Sequence, residues 1–298
     1  MTPPQPLHSP ARPLLAFALM GGAVVMFSLV DATAKWLTGG YDPWQIIFLS
    51  RVVPMLAALY MAYRETGNPF DFRTRFPRRQ ALRAFLIIPM MWCFFEGLRL
   101  LSLSEAITIS FVSPLFITIL SSLMLREKIG WRRWTAVAFG FAGVVVALRP
   151  GAGTFGLGAI LIMISAITYA FTMVMLRGIA GREPMHNILF YGAVGAFVAG
   201  AFSATHIWTA PVLHDWGLLL FVGLLGVFGS FFTIRAYRVG EASMLAPLEY
   251  TALIWSVIFD LVLFQTTPIG SVLLGAAIII GSNLYIAHRE HRLRKAAT

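Results

Sequence analysis

The sequence predicts an all-α integral membrane protein with ten transmembrane helices arranged as two inverted five-helix repeats. Three observations carry this reading. Hydrophobic residues make up 58% of the 298 and charged residues only 12%, about half the charged share of a soluble domain. Ten apolar runs follow one another, each close to the roughly 17–25 residues that a bilayer core demands. Segments of the first half also recur in the second half at a nearly constant offset.

The first run, Leu14–Leu37, follows Arg12 and contains Ala32-Thr33-Ala34, which has the look of a leader cleavage site. It is long for a leader and carries Asp31 and Lys35, so it reads as a retained span. The others are Trp44–Tyr63, Ala84–Leu101, Ala106–Leu125, Trp131–Leu148, Leu157–Leu176, Met185–Ser203, Trp216–Tyr237, Ala242–Phe264 and Ile269–Ala287. The longest link, Arg64–Arg83, is too short for a soluble domain. The expected organisation is a tail 1–13, a first repeat 14–148, a second repeat 157–287 and a basic tail 288–298.

Charge sets the orientation. The net charge is +10, which in a soluble protein points toward nucleic acid. With the N-terminus inside, nineteen of the 23 basic residues fall in inside segments and three outside. That is a positive-inside distribution. It places both termini in the cytoplasm and the chain in the cell's inner (plasma) membrane. It also explains the basic excess without a nucleic-acid partner. The tail His288-Arg289-Glu290-His291-Arg292 reads as a headgroup-facing tail rather than a ligand set.

Cys93 stands alone in an apolar run, so no intramolecular disulfide or cysteine zinc cage forms. No GxxxxGK[ST], HExxH or GxSxG motif is present. No cofactor and no metal is expected, and the chain does not read as an enzyme.

The repeat is visible in particular residues. Arg99 through Ala106 lies opposite Arg235 through Ala242, sharing the leading Arg and the closing Glu-Ala. Lys35 lies opposite Arg177, and Ala136 and Gly140 lie opposite Ala277 and Gly281. Five spans is an odd number, so the second copy is upside down relative to the first. Inverted units can exchange conformations and carry a midplane site from one side to the other. The small residues Ala136, Gly140, Gly143, Ala277 and Gly281 form a close-packing stripe, used within one chain or as a homodimer seam.

Several segments carry a family resemblance. They are Phe27-Ser28-Leu29-Val30-Asp31-Ala32-Thr33-Ala34-Lys35, Ser50-Arg51, Phe111-Val112-Ser113-Pro114-Leu115-Phe116, Arg126-Glu127-Lys128-Ile129 and Ala246-Pro247-Leu248-Glu249-Tyr250-Thr251-Ala252. The chain resembles the drug/metabolite transporter superfamily, EamA-type, from Leu14 to Ala287. The resemblance implies a ten-span secondary transporter of a small organic metabolite. The span-one and span-four segments look most like members that move S-adenosylmethionine or riboflavin, with amino-acid exporters as a neighbouring group. Where the family pattern has an acid after span nine, this chain has Gln265-Thr266-Thr267-Pro268.

Charges inside a membrane are rare and mark function. Arg51 lies about seven residues into span two, roughly 10 Å deep. Glu96 shares a helix face with Arg99. Glu249 adjoins Pro247, whose missing N–H breaks a helical turn and frees carbonyls for a ligand. Either Glu96 or Glu249 is expected to lie near Arg51 as its partner. Asp31 and Lys35 stand at i and i+4, as an ion pair or as coupling groups. Trp92, one turn before Glu96, would set a π-face beside a carboxylate, which suits a planar or cationic metabolite. Tyr250, Tyr169, Ser28 and Ser113 complete the substrate candidates. Trp44 reads as an interfacial anchor. Asp260 and Arg99 read as interfacial too. The competing classes are an intramembrane enzyme and a non-transporting membrane subunit.

Overall fold

The computed structural model describes residues 13–125, 131–148, 156–179, 182–239, 245 and 248–297. Glu127, Glu241, Pro247 and the start of the Arg149–Gly156 link lie outside them, as do the side chains of Ala136, Arg177 and the basic tail.

The first repeat holds α1 (Pro13–Leu37), α2 (Pro43–Thr66), α3 (Pro77–Leu100), α4 (Leu103–Ser110), α5 (Ser113–Leu125) and α6 (Trp131–Leu148). The second holds α7 (Leu157–Arg177), α8 (Met185–Ile207), α9 (Leu213–Val239), α10 (Thr251–Val262) and α11 (Gly270–Ala297). Among the described residues seven stretches are long and apolar enough to cross a bilayer, and three shorter apolar ones bring the count to ten. One of the seven, Leu103–Met124, is not continuous. It consists of α4 and α5, separated at Phe111–Val112. Pro114 has no N–H to return to the Ser110 carbonyl, and the chain turns there.

Local chemistry starts and stops the helices. The Asp42 carboxylate accepts from the Trp44 N–H at 2.9 Å, and Pro43 takes the first helical position of α2, where a missing N–H costs nothing. Gly67, at φ 76°, closes α2 in the left-handed conformation. Ser102 and Glu105 form a reciprocal capping box at the start of α4.

The helices pair as α1 with α9, α3 with α7, α2 with α8, α6 with α11 and α4 with α10. Exchanging each helix for its counterpart in the other repeat returns the same set of pairs. The architecture is therefore the predicted one of two interlocked, related halves. The basic tail continues α11 as helix to Ala297.

Lipid tails are as apolar as leucine, so close packing rather than burial from water holds such helices together. One close crossing is α6 on α11. A methyl group on Gly143 would come within 2.9 Å of the Gly275 carbonyl oxygen and within 2.9 Å of Ile279. The expected mates of this stripe, Ala277 and Gly281, instead face outward. The helix rotation puts Gly275, one and a half turns before Gly281, into the seam. Gly143→Leu is expected to lower stability by about 1–3 kcal/mol through overpacking. Gly281→Leu is expected to stay within about 0.5 kcal/mol. Thermal unfolding of the two purified variants measures the contrast.

Candidate functional site

One end of the bundle is poor in arginine and carries the α1–α2, α3–α4 and α8–α9 turns. Side chains tie these turns together. The Gln45 amide donates to the Thr209 carbonyl at 2.7 Å, and its own oxygen accepts from the Thr209 N–H at 3.0 Å. The Tyr41 hydroxyl donates to Asp215 at 2.6 Å. That carboxylate pushes the Tyr41 phenol above its usual range.

The α3–α4 turn is held from both sides. The Lys35 ammonium donates to the Leu98 carbonyl at 3.0 Å and also to the Leu101 carbonyl. It lies 5.2 Å from the centre of the Phe264 ring. On the other side, Asp260 accepts from the Leu103 N–H at 2.9 Å and from the Ser104 N–H at 2.7 Å. Lys35 is within electrostatic reach of Asp260 and Glu105. A cation thus sits on the carbonyl end of α3 and an anion on the amide end of α4, each where the helix dipole favours it. Asp260 is fully buried, its carboxylate turned into the protein at this end of the bundle. Lys35 is engaged by α3 carbonyls rather than by Asp31.

Below this clasp lies the middle layer. Asp31 is half-buried on α1, roughly 9 Å from the helix end at 1.5 Å per residue. Arg51 is half-buried on α2, roughly 12 Å from the start of its helix. Both helices pack on α9. The Arg51 Nε and the Ser28 hydroxyl are buried and have no hydrogen-bond partner. Among the described residues neither Asp31 nor Arg51 forms an ion pair. Glu96 does not neutralise Arg51, because it pairs with Arg99 at 2.8 Å.

The packing of α9 marks a gap at this level. A methyl on Gly223 would meet the Ser50 carbonyl of α2 at 2.6 Å, and one on Gly229 would meet the Phe27 ring of α1 at 3.1 Å. Gly226 lies between them on the same face, and a methyl there would meet nothing within 4 Å. Gly226 therefore faces open space between the levels at which α9 meets α2 and α1. Gly226→Leu is expected to fill that space and abolish transport while leaving the unfolding temperature unchanged. A flux assay paired with thermal unfolding checks both halves.

Deeper still, the interruptions of spans four and nine meet. Phe111, at the α4–α5 break, and Tyr250, at the start of α10, bring their ring centres within 5.4 Å. Ser113 opens α5 beside this contact, and the buried Thr108 hydroxyl one turn away lacks a partner. Broken helices at the repeat interface are where transporter sites form. Pro247, where the sequence predicts a break, lies outside the described residues. Its counterpart at Pro114 carries the same signal, a proline inside an apolar run, and is part of the same layer.

The remaining candidates are more dispersed. Trp92 stacks on Trp44 at 6.0 Å and 23°, so Trp44 is an inward-packing ring rather than an interfacial anchor. Glu249 is exposed and Tyr169 is 39% exposed on α7. Ser28 and Asp31 stand on α1 and Arg51 on α2, two helices that both pack on α9, while Ser113 and Tyr250 stand at the breaks.

A chain of ten apolar helices in two related halves, with buried charges between them, is a multi-pass membrane transporter of a small molecule. It belongs to the EamA-like transporter family, whose pattern matches residues 14–149 and again 156–287. The chain is 32% identical over 270 residues to the S-adenosylmethionine uptake transporter of Rickettsia bellii, covering 91% of this chain and 92% of that one. It is 27% identical over 292 residues to the riboflavin transporter of Rhizobium johnstonii, covering 95% and 94%. One crystal structure shares the fold at TM-score 0.66 and 21% identity, over 93% of this chain and 98% of its own.

Proposed function

We propose that this protein moves S-adenosylmethionine across the inner membrane by alternating access, without ATP and without chemical change to the substrate. Both termini face the cytoplasm in this reading, which follows from the arginine-rich end being the inner one. The observation that carries it is the pair of half-buried opposite charges, Asp31 and Arg51, which form no ion pair among the described residues and stand on the two helices that pack on α9 on either side of Gly226. Isolated charges in a low-dielectric layer are costly. A zwitterionic amino-acid group satisfies both, its carboxylate on the Arg51 fork and its ammonium on Asp31. Phe111 and Tyr250 then supply aromatic faces for an adenine ring or a sulfonium cation. Riboflavin has no zwitterion and would leave both charges unanswered.

Uptake of labelled S-adenosylmethionine into proteoliposomes tests this. Unlabelled S-adenosylmethionine is expected to compete fully, its decarboxylated analogue at least tenfold less well, and riboflavin not at all. Competition by riboflavin equal to that of S-adenosylmethionine would overturn the reading.

A further inference from the structure

The opposite end of the bundle carries a second polar construction, unrelated to the charges between the repeats. The α2–α3 link is folded tightly against the start of α8. The Asn68 side chain accepts from the Phe70 N–H at 2.9 Å, and Thr74 accepts from the Phe76 N–H at 3.0 Å. The Asn187 amide donates to the Arg73 carbonyl at 2.7 Å. Phe72 stacks flat on Phe190 at 3.8 Å and 9°. His186 meets Glu65 at 2.7 Å.

These contacts shape a concavity of about 470 Å³ lined by Arg73, Arg75, Arg182, Glu183 and Pro184. Its one carboxylate is already committed. One Glu183 oxygen accepts from the Arg75 backbone N–H at 2.9 Å, and the other accepts from the Asn187 amide at 3.2 Å. Glu183 is buried and braces the loop, and its single negative charge offsets only one of the three exposed guanidinium groups. Among the described residues Arg73 forms an ion pair with Asp71 alone, at 4.0 Å, and its side chain is 98% exposed. Positive-inside topology accounts for the number of arginines at this end. It does not require three of them to converge on a hollow whose acid is spent on backbone and amide donors.

We propose that this cleft binds the phosphate headgroup of an anionic phospholipid. Guanidinium forks match phosphate oxygens in pairs, and basic hollows between helix ends suit acidic headgroups. Phe70 is 75% exposed at the rim of the link, and Leu82 and Phe85 face outward on α3 at 50% and 66%. These exposed apolar side chains on the same link and on the helix that follows it offer a place for acyl chains. A soluble phosphate has no use for that surface.

Full-length protein in detergent can be titrated with cardiolipin, phosphatidylcholine or inorganic phosphate, reading unfolding temperature and bound adducts by native mass spectrometry. Cardiolipin is expected to stabilise the protein and remain bound as an adduct, and phosphatidylcholine is expected to do neither. The triple variant Arg73→Gln/Arg75→Gln/Arg182→Gln is expected to bind cardiolipin roughly a hundredfold more weakly. The control Arg64→Gln, outside the cleft, is expected to bind as the wild type does. If the triple variant unfolds, the single Arg182→Gln read by native mass spectrometry replaces it, with an expected loss of roughly fivefold. Equal binding of phosphatidylcholine, or undiminished cardiolipin binding by the arginine variants, would overturn the site. Stabilisation by inorganic phosphate that cardiolipin cannot displace would overturn the lipid assignment.

Discussion

Arg51→Gln is expected to reduce S-adenosylmethionine transport roughly a hundredfold in kcat/KM, the scale of removing one partner from a buried charge pair. The guanidinium is the cation left unanswered between α1, α2 and α9, with its Nε buried and unpartnered. Arg51→Lys keeps the charge but loses the fork, and an intermediate loss is expected. The discriminating measurement is the preference for S-adenosylmethionine over its decarboxylated analogue. It should collapse in Arg51→Gln, because the analogue never used the cation. Arg51→Met is expected to leave the unfolding temperature equal or higher, since an unpaired charge is exchanged for packing. A variant that transports poorly yet stands up to heat would separate a binding role from a structural one. An unchanged substrate preference would sink the role given to Arg51.

Asp260→Ala is expected to destabilise the protein by about 3–5 kcal/mol, the cost of losing two buried charge-assisted bonds. The Leu103 and Ser104 amides would be left unmatched at the start of α4, and Lys35 would lose a nearby anion. Asp260→Asn retains one acceptor oxygen and should fall about midway. Thermal unfolding in detergent reads the order Asp260, Asn, Ala. If Asp260→Ala unfolds like the wild type, the carboxylate is not holding α4 in place.

How much of this was legible beforehand follows from the range of each interaction. The ten spans rest on runs of apolar residues, which are local, and the inverted repeat rests on a constant offset. Both read directly from the chain. Asp31 and Arg51 stand out because charge in a bilayer is rare, whatever surrounds it. Partners are another matter. Glu96 was a natural candidate for Arg51, yet its own helix already offers Arg99 at 2.8 Å, and the local pair forms. Asp260 meets α4 across 157 residues of sequence. That meeting depends on the register of span nine, where the repeat offset drifts. Trp44 and Trp92 both announced themselves as large rings, but their stacking depends on how α2 sits beside α3. Pro114 was visible, and its effect was hidden only by the unbroken apolar run around it.

The α3–α4 turn has a consequence for how the protein is made. Lys35 and the helix ends it joins emerge early in synthesis, whereas Asp260 is added only when span nine is translated. Until then the first turn of α4 stands in the bilayer with two amides lacking their acceptor, and Lys35 has Glu105 but not Asp260 as a nearby anion. The first repeat therefore cannot finish assembling by itself during insertion. A ribosome stalled before residue 260 would leave an incomplete half, exposed to whatever surveys unfinished membrane chains.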